Sequence, residues 1–391
     1  MATIFDYMDN MKYESIYDYD FTELDFLILT ELSYLPFDGM VSSEMNPSTE
    51  CRLLEIYPSI DKKITTMTTK ERLLLLEKAY THKRFKNIKL SGYINDIDST
   101  IEKQFSAVIF KIKPQTYVLA FRGTDDTIIG WKEDFHMTYM KRIPSQKSAV
   151  HYLEKAMAAL PGKFILVGHS KGGNLAAYSA SQVDPSYQER IQGIYSYDAP
   201  GLHHSIIHSE QYKSINHKVN HYVPQGSIVG MMMETPKEIK IVKSNALGGF
   251  AQHNTFTWHI EQRGFVLLDK PDTASVQTDK TLKSWLASVP DEELKDFFDL
   301  FFGLVQKAGI TSIDDFYKWG NVNKFLSIFK NATNLSNDEK DRLFRLSALL
   351  INMRYKHWYN DISIPKMADI GHNIKSGMKQ LTQNLLAKYK K

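Results

Sequence analysis

Only one of the 391 residues is a cysteine, Cys51, so neither an internal disulfide framework nor a zinc site of several thiolates is open to this chain. That usage fits a reducing compartment, or a bacterial protein of either location, with Cys51 acting as a small buried apolar residue. An excess of one charge is also missing. Lys and Arg number 48 against 45 Asp and Glu, and a formal net charge of +3 makes too weak a field to gather phosphate backbones. Nucleic acid is not expected as a partner. No run approaches the roughly 18 consecutive apolar residues of a membrane span. Nor is there a basic leader: residues 1–26 hold seven acids against one lysine, Lys12, the opposite of a signal peptide's n-region. The expectation is a soluble, cytoplasmic protein. The 13 histidines show neither H-E-x-x-H nor paired spacing, so no metal and no cofactor are expected. Internal repeats and low-complexity stretches are lacking as well.

What is present is a globular composition, 43% apolar and 24% charged, with enough apolar surface to bury a large core. The patterning predicts an acidic tail over 1–21, a main α/β domain over 22–268 and a helical region over 269–391. Thr22 caps a first helix that stops before Pro36, and Thr68 with Glu71 has the spacing of a capping box for a second; both read as packing helices. From Ile88 the pattern turns to short β-branched and aromatic runs: Ile88–Ile94, Phe105–Phe110 and Thr116–Phe121, the last two joined by a turn at Pro114-Gln115. Phe164–Gly168 is apolar on both faces, as a strand between two helix layers must be, and a small-residue helix follows at Gly172–Val183. Ile191–Tyr197, Val219–Val223 and Ile239–Lys243 continue the strands, and the alternation predicts a mostly parallel sheet flanked by helices. Further on, Pro290 opens a helix with Leu294, Phe297, Phe301 and Leu304 on its apolar face and Gly309 as its stop. Ser336 with Glu339 caps another, carrying Leu343, Leu346, Leu350 and Met353. The last seventeen residues carry Lys375, Lys379, Lys388, Lys390 and Lys391 and no acid, a solvated helix end or a weak peripheral attachment to anionic lipid.

Gly168-His169-Ser170-Lys171-Gly172 fits G-x-S-x-G between a buried strand and a helix, the context in which a strained turn lifts a serine hydroxyl above the sheet edge. Such a serine needs an imidazole held by an acid, and the oxyanion it creates needs two fixed donors. One donor is the backbone N–H of Lys171, at the helix N-terminus; the second falls after the Thr116 strand, at Phe121-Arg-Gly-Thr124, where Thr124 offers amide and hydroxyl. With the base required well downstream, His203 and His204 follow too soon and His221 lies inside a strand pattern. His253 stands in a glycine-containing loop after the last parallel strand and is preferred over His259. For the acid, Asp198 ends the strand after the elbow helix, at the carboxyl edge where open α/β sheets place their sites. A turn-capping role for Asp198, and Glu234 as the acid, remain open. Met231, Met232 and Met233 either line an adaptable acyl pocket or fill core. Arg122, Asp125, Asp126 and Asp134 read as ion pairing that holds the oxyanion loop.

Phe121-Arg-Gly-Thr124 with Trp131 and Asp134, followed by Gly168–Gly173, resembles the paired signature of the fungal-type class 3 lipases. With Glu23-Leu-Asp-Phe26, Leu32-Ser-Tyr-Leu-Pro36, Tyr197-Asp-Ala-Pro-Gly201, Ser227-Ile-Val-Gly230 and Gln252-His253, the sequence over about 22–268 is similar to the bacterial, lipase-like Mbeg-like family. The resemblance implies an α/β-hydrolase-like fold with a helical C-terminal extension. It carries the nucleophile, base and oxyanion roles onto Ser170, His253 and Thr124. The lipase aspartate would fall at or near Ser227, a departure that leaves Asp198 as a relocated acid. Lys171 stands where those lipases carry an apolar residue and is expected to add a positive charge beside the elbow. The implied activity is hydrolysis of a small-molecule carboxylic ester, lipid or acyl, through an acyl-enzyme. Thioesterase, acyltransferase or peptidase chemistry shares that intermediate, and a non-catalytic scaffold that keeps only the fold draws its support from Ser227.

Overall fold

The computed structural model describes residues 2–63, 68–125, 127–247, 249–309 and 335–358, which fall into two units. One comprises residues 1–125 with 140–275, the other 126–139 with 276–391. The first unit is built on a nine-stranded sheet. Its strands are β1 (Cys51–Arg52), β2 (Lys89–Asp98), β3 (Lys103–Lys113), β4 (Thr116–Phe121), β5 (Lys163–His169), β6 (Ile191–Tyr197), β7 (Val219–Pro224) and β8 (Ile239–Val242). A short hairpin of β9 (Ile260–Glu261) and β10 (Gly264–Phe265) precedes β11 (Leu267–Leu268), which closes the order β1-β2-β3-β4-β5-β6-β7-β8-β11.

The sheet is mixed, and this corrects the expectation of a mostly parallel one. Pairings from β4 to β8 are parallel, whereas β1 with β2, β2 with β3, β3 with β4 and β8 with β11 are antiparallel. The cause is connection length. Only a few residues link β2 to β3 and β3 to β4, enough for a hairpin and far too few for a parallel crossover. Glu102 and Gln115 take φ of +54° in these turns.

Successive side chains of β3 face opposite ways: Val108 and Phe110 enter one core cluster, Ala107 and Ile109 the other. On the first face lie α1 (Ile4–Asn10), α2 (Glu23–Leu32) and α3 (Thr69–Thr81), through Tyr7, Leu24, Leu27, Leu75 and Leu76. On the second lie α4 (Pro144–Ala159) and α5 (Lys171–Gln182), through Leu153, Ala156, Leu175 and Ala176. Sheet and both layers therefore make an α/β sandwich.

The stretch read as an acidic tail is a packed element. Ile4, Tyr7 and Met8 of α1 are buried, and the Tyr7 hydroxyl donates to Asp25 at 2.9 Å. Asp25 also takes both Nε and Nη2 of Arg84 at 2.7 Å, and that guanidinium donates to the carbonyls of Tyr19 and Asp20. Asp6, Asp9, Asp18 and Asp20 of the segment stay exposed, and what anchors it is its apolar residues together with the buried Asp25 just beyond it. Thr68 makes no side-chain cap on α3, its ψ of 3° being wrong for one, so the box expected with Glu71 does not form.

In the second unit, α6 (Asp291–Lys307) buries Leu294, Phe298, Phe302 and Val305, while Phe301, placed on the apolar face by the spacing, is exposed. Paired phenylalanines at 297–298 and 301–302 make two faces almost equally apolar, and packing chooses the later of each pair. Phe135, from the 126–139 segment, meets Phe298 and Phe302. Ser336 and Glu339 cap α7 (Asn337–Trp358) as the spacing predicts. Among the described residues no helix is long and apolar enough to cross a membrane. The C-terminal lysines and Asp126 lie outside the described residues.

Candidate functional site

β5 ends at His169 and α5 begins at Lys171, so Ser170 alone makes the turn between them, at φ +56° and ψ −135°. A non-glycine residue keeps that conformation only where its surroundings over-determine it. Here they do. The Ser170 amide donates to the Tyr197 carbonyl at 2.9 Å, and α5 runs so close under the sheet that a Cβ on Gly172 would overlap the Phe121 carbonyl oxygen. The same crowding brings the end of β4 to the elbow, since a Cβ on Gly123 would lie 3.2 Å from the Ser170 Cβ. Thr124 follows there, half-buried.

Lys171 departs from its expectation. Its side chain is fully buried, with Nζ 3.0 Å from the Gln104 carbonyl and 2.8 Å from Gln104 Oε1. An ammonium taken out of water must find such oxygens, so the charge is held against the start of β3. Its backbone, as the first residue of α5, sits at the positive end of the helix dipole. Arg122 donates to Asn95 Oδ1 at 2.8 Å and stands 3.9 Å from Asp125, which ties the loop after β4 to β2.

Asp198 directly follows β6 with φ +41°, fully buried, its amide donating to the Tyr222 carbonyl at 2.7 Å. Its Oδ2 lies 2.6 Å from His253 Nδ1. Its Oδ1 accepts from the Ser227 hydroxyl at 2.5 Å and from the Gly230 amide at 3.0 Å. A carboxylate so placed makes Nδ1 the protonated nitrogen of His253 and leaves Nε2 the basic one. The other acid considered, Glu234, is exposed, and its backbone bridges to Leu202. Ser227 contributes a hydroxyl to Asp198 where the lipase resemblance would have an acid, a partnership that spacing along the chain does not reveal.

His253 is 24% exposed and follows a single helical turn, Gly249–Gln252. Gln252 pins that turn, accepting from the Gly226 amide at 2.7 Å and, through its carbonyl, from Trp258 Nε1 at 2.8 Å. Three other histidines considered from the sequence are engaged elsewhere. His221 is buried against Ser196 Oγ at 3.0 Å, and burial lowers its pKa; His259 is buried with its amide on the Lys243 carbonyl; His203 caps a short helix. Met231 ends a 3₁₀ turn, Val229–Met231, and it and the following Met232 and Met233 are partly exposed, Met233 at φ +62°.

A sequence model of the Mbeg1-like family matches residues 79–303, more than half of the 391. The chain belongs to the Mbeg1-like family. That span contains every residue of the elbow, the His253 loop and the Asp198 turn in this Mbeg1-like chain. Among solved structures it is similar to the crystal structure of M37 lipase, at 16% identity and a TM-score of 0.32, over 54% of this chain and 70% of that one. No curated protein matches the sequence.

Proposed function

We propose that this chain is a serine hydrolase that cleaves carboxylic esters, with lipid or other acyl esters as the substrate class. The observation that carries the reading is the 2.6 Å contact between His253 Nδ1 and Asp198 Oδ2, made across 55 positions of sequence. It orients an imidazole in the unit that holds Ser170 on its strained elbow. Ser170 Oγ attacks the ester carbonyl carbon and gives its proton to His253 Nε2; Asp198 stabilises the imidazolium. The amides of Lys171 and Thr124 hold the oxyanion until the C–O bond breaks and the alcohol leaves with that proton. Water then hydrolyses the acyl-enzyme by the same relay in reverse. Met231, Met232 and Met233, on the chain that leads from Ser227, are proposed to contact the acyl group.

Nothing in this reading requires an acid at position 227, because Asp198 supplies the carboxylate from the neighbouring strand. The carboxylate at Asp198 favours the catalytic reading over a non-catalytic scaffold, whose best support was Ser227. A fluorophosphonate probe is expected to label the protein and to leave Ser170→Ala unlabelled, with turnover of a p-nitrophenyl ester falling on the order of 10⁶-fold in that variant if the triad acts as a unit. An unlabelled wild-type protein would overturn the proposal. A chain-length series of esters and thioesters separates esterase from thioesterase.

A further inference from the structure

The backbone around His253 is tied down at two points that the proposed mechanism does not use. His169, the residue before the elbow serine, lies with Nε2 3.0 Å from the His253 carbonyl oxygen. A carbonyl only accepts, so His169 carries its proton on Nε2 and its Nδ1 is an acceptor, to which the Tyr34 hydroxyl donates across 3.1 Å. Burial holds the His169 pKa well below its ordinary value, which keeps the ring neutral and this tautomer in place. The two imidazoles lie 4.4 Å apart, centroid to centroid.

The second tie comes two residues later. The Thr255 hydroxyl donates to Glu31 Oε1 at 2.7 Å, and Glu31 Oε2 accepts from Arg72 Nε at 2.9 Å. The Arg72 guanidinium lies over the Tyr34 ring, 3.7 Å from its centroid, so both ties belong to one polar cluster of α2, α3 and the residues just after α2. His169, Thr255, Glu31 and Arg72 are all buried. Apolar groups of the same shape would serve packing equally well or better. What a directional, charged cluster adds is a fixed position for the loop it grips.

We propose that His169 and Glu31 are positioning residues, which hold the His253–Thr255 segment at two points so that the imidazole stays in register with Asp198. This rests on the hydrolase reading only where turnover is the readout. The test uses two hydroxyl deletions that leave packing nearly intact, Tyr34→Phe and Thr255→Val, with His169→Ala and His169→Gln beside them. Each hydroxyl deletion is expected to lower kcat on a p-nitrophenyl ester about tenfold with KM within about twofold, since small misplacements of a reacting group cost one to two orders of magnitude. His169→Gln, which keeps an N–H able to reach the carbonyl, should retain more activity than His169→Ala. The low-field Nδ1 proton of His253, identified by its loss in His253→Ala, should broaden in both deletions as water gains access. If His169→Ala fails to fold, the two hydroxyl deletions decide. Unchanged kcat together with a sharp low-field proton in both would overturn the proposal. A wild-type protein that shows this proton yet takes up no fluorophosphonate would sink the hydrolase reading instead, and the proton's behaviour in the variants would still judge the ties.

Discussion

Asp198 divides its two carboxylate oxygens between partners from different parts of the chain, Oδ2 to His253 and Oδ1 to Ser227 and Gly230. That division holds one orientation of a carboxylate that has no solvent to turn into. Replacing Ser227 by Ala removes one of the two donors to Oδ1. It should lower the unfolding free energy by about 2 kcal/mol, the scale of a hydrogen bond to a buried charge, as read in urea melts; a loss below about 0.5 kcal/mol would mean the hydroxyl is not holding the acid. Positions that depend on immediate neighbours were legible beforehand: the turn at Ser170 is marked by its own glycines, and the loop of His253 by Gly248 and Gly249. Asp198 stayed open against Glu234 because the choice turns on which strand end lies beside the His253 loop, a matter of sheet order rather than of spacing. Lys171 was misread for a related reason, since sequence names a charge but not the direction in which its side chain leaves the helix.

At the level of elements, the elbow works because α5 approaches the sheet more closely than any side chain permits. Gly172→Ala would press a methyl into the Phe121 carbonyl, which is backbone and cannot swing away. A destabilisation of about 3 kcal/mol is expected, seen as a lowered thermal midpoint, together with loss of fluorophosphonate labelling if β4 is pushed from the elbow. A fully stable, fully labelled variant would show that the strand yields cheaply. Strand positions follow from alternating and apolar runs, and those readings agree closely with β2 to β8. Strand direction was carried over from the strand–helix–strand half of the domain onto hairpins whose short turns require the opposite. The first two helices read as packing elements, which is what their apolar residues show; that Glu31, held by Arg72, reaches Thr255 depends on a contact spanning 224 residues of sequence.

Across the first unit as a whole, burial of neutral imidazole makes stability depend on pH. His169 and His221 both have pKa values lowered from 6.5, with burial the main cause. As pH falls below about 6.5 the unfolded chain takes up protons at these rings while the folded protein does not, so the unfolded state binds more protons and stability declines. The urea midpoint should therefore be lower at pH 5.5 than at pH 7.5, and His221→Asn should flatten part of that slope; a midpoint that rises on acidification would contradict the assignment. The N-terminal segment belongs to this unit because Arg84 and Tyr7 meet Asp25 in its interior, a pairing that an acid count along residues 1–26 cannot distinguish from a solvated tail.

The amino-acid sequence alone determined the elements whose information is local: the buried strand, the glycine-flanked serine, the helix after it, the caps at Thr22 and Ser336 and the loop that carries His253. Each depends on residues within a turn or two of one another, where backbone preference and side-chain period act directly. Only the tertiary structure decided which carboxylate meets that histidine, where the Lys171 side chain goes, which way the outer strands run and what meets the His253–Thr255 segment. Those outcomes depend on which distant segments lie side by side, and burial in a shared interior is what obliges their polar groups to find one another.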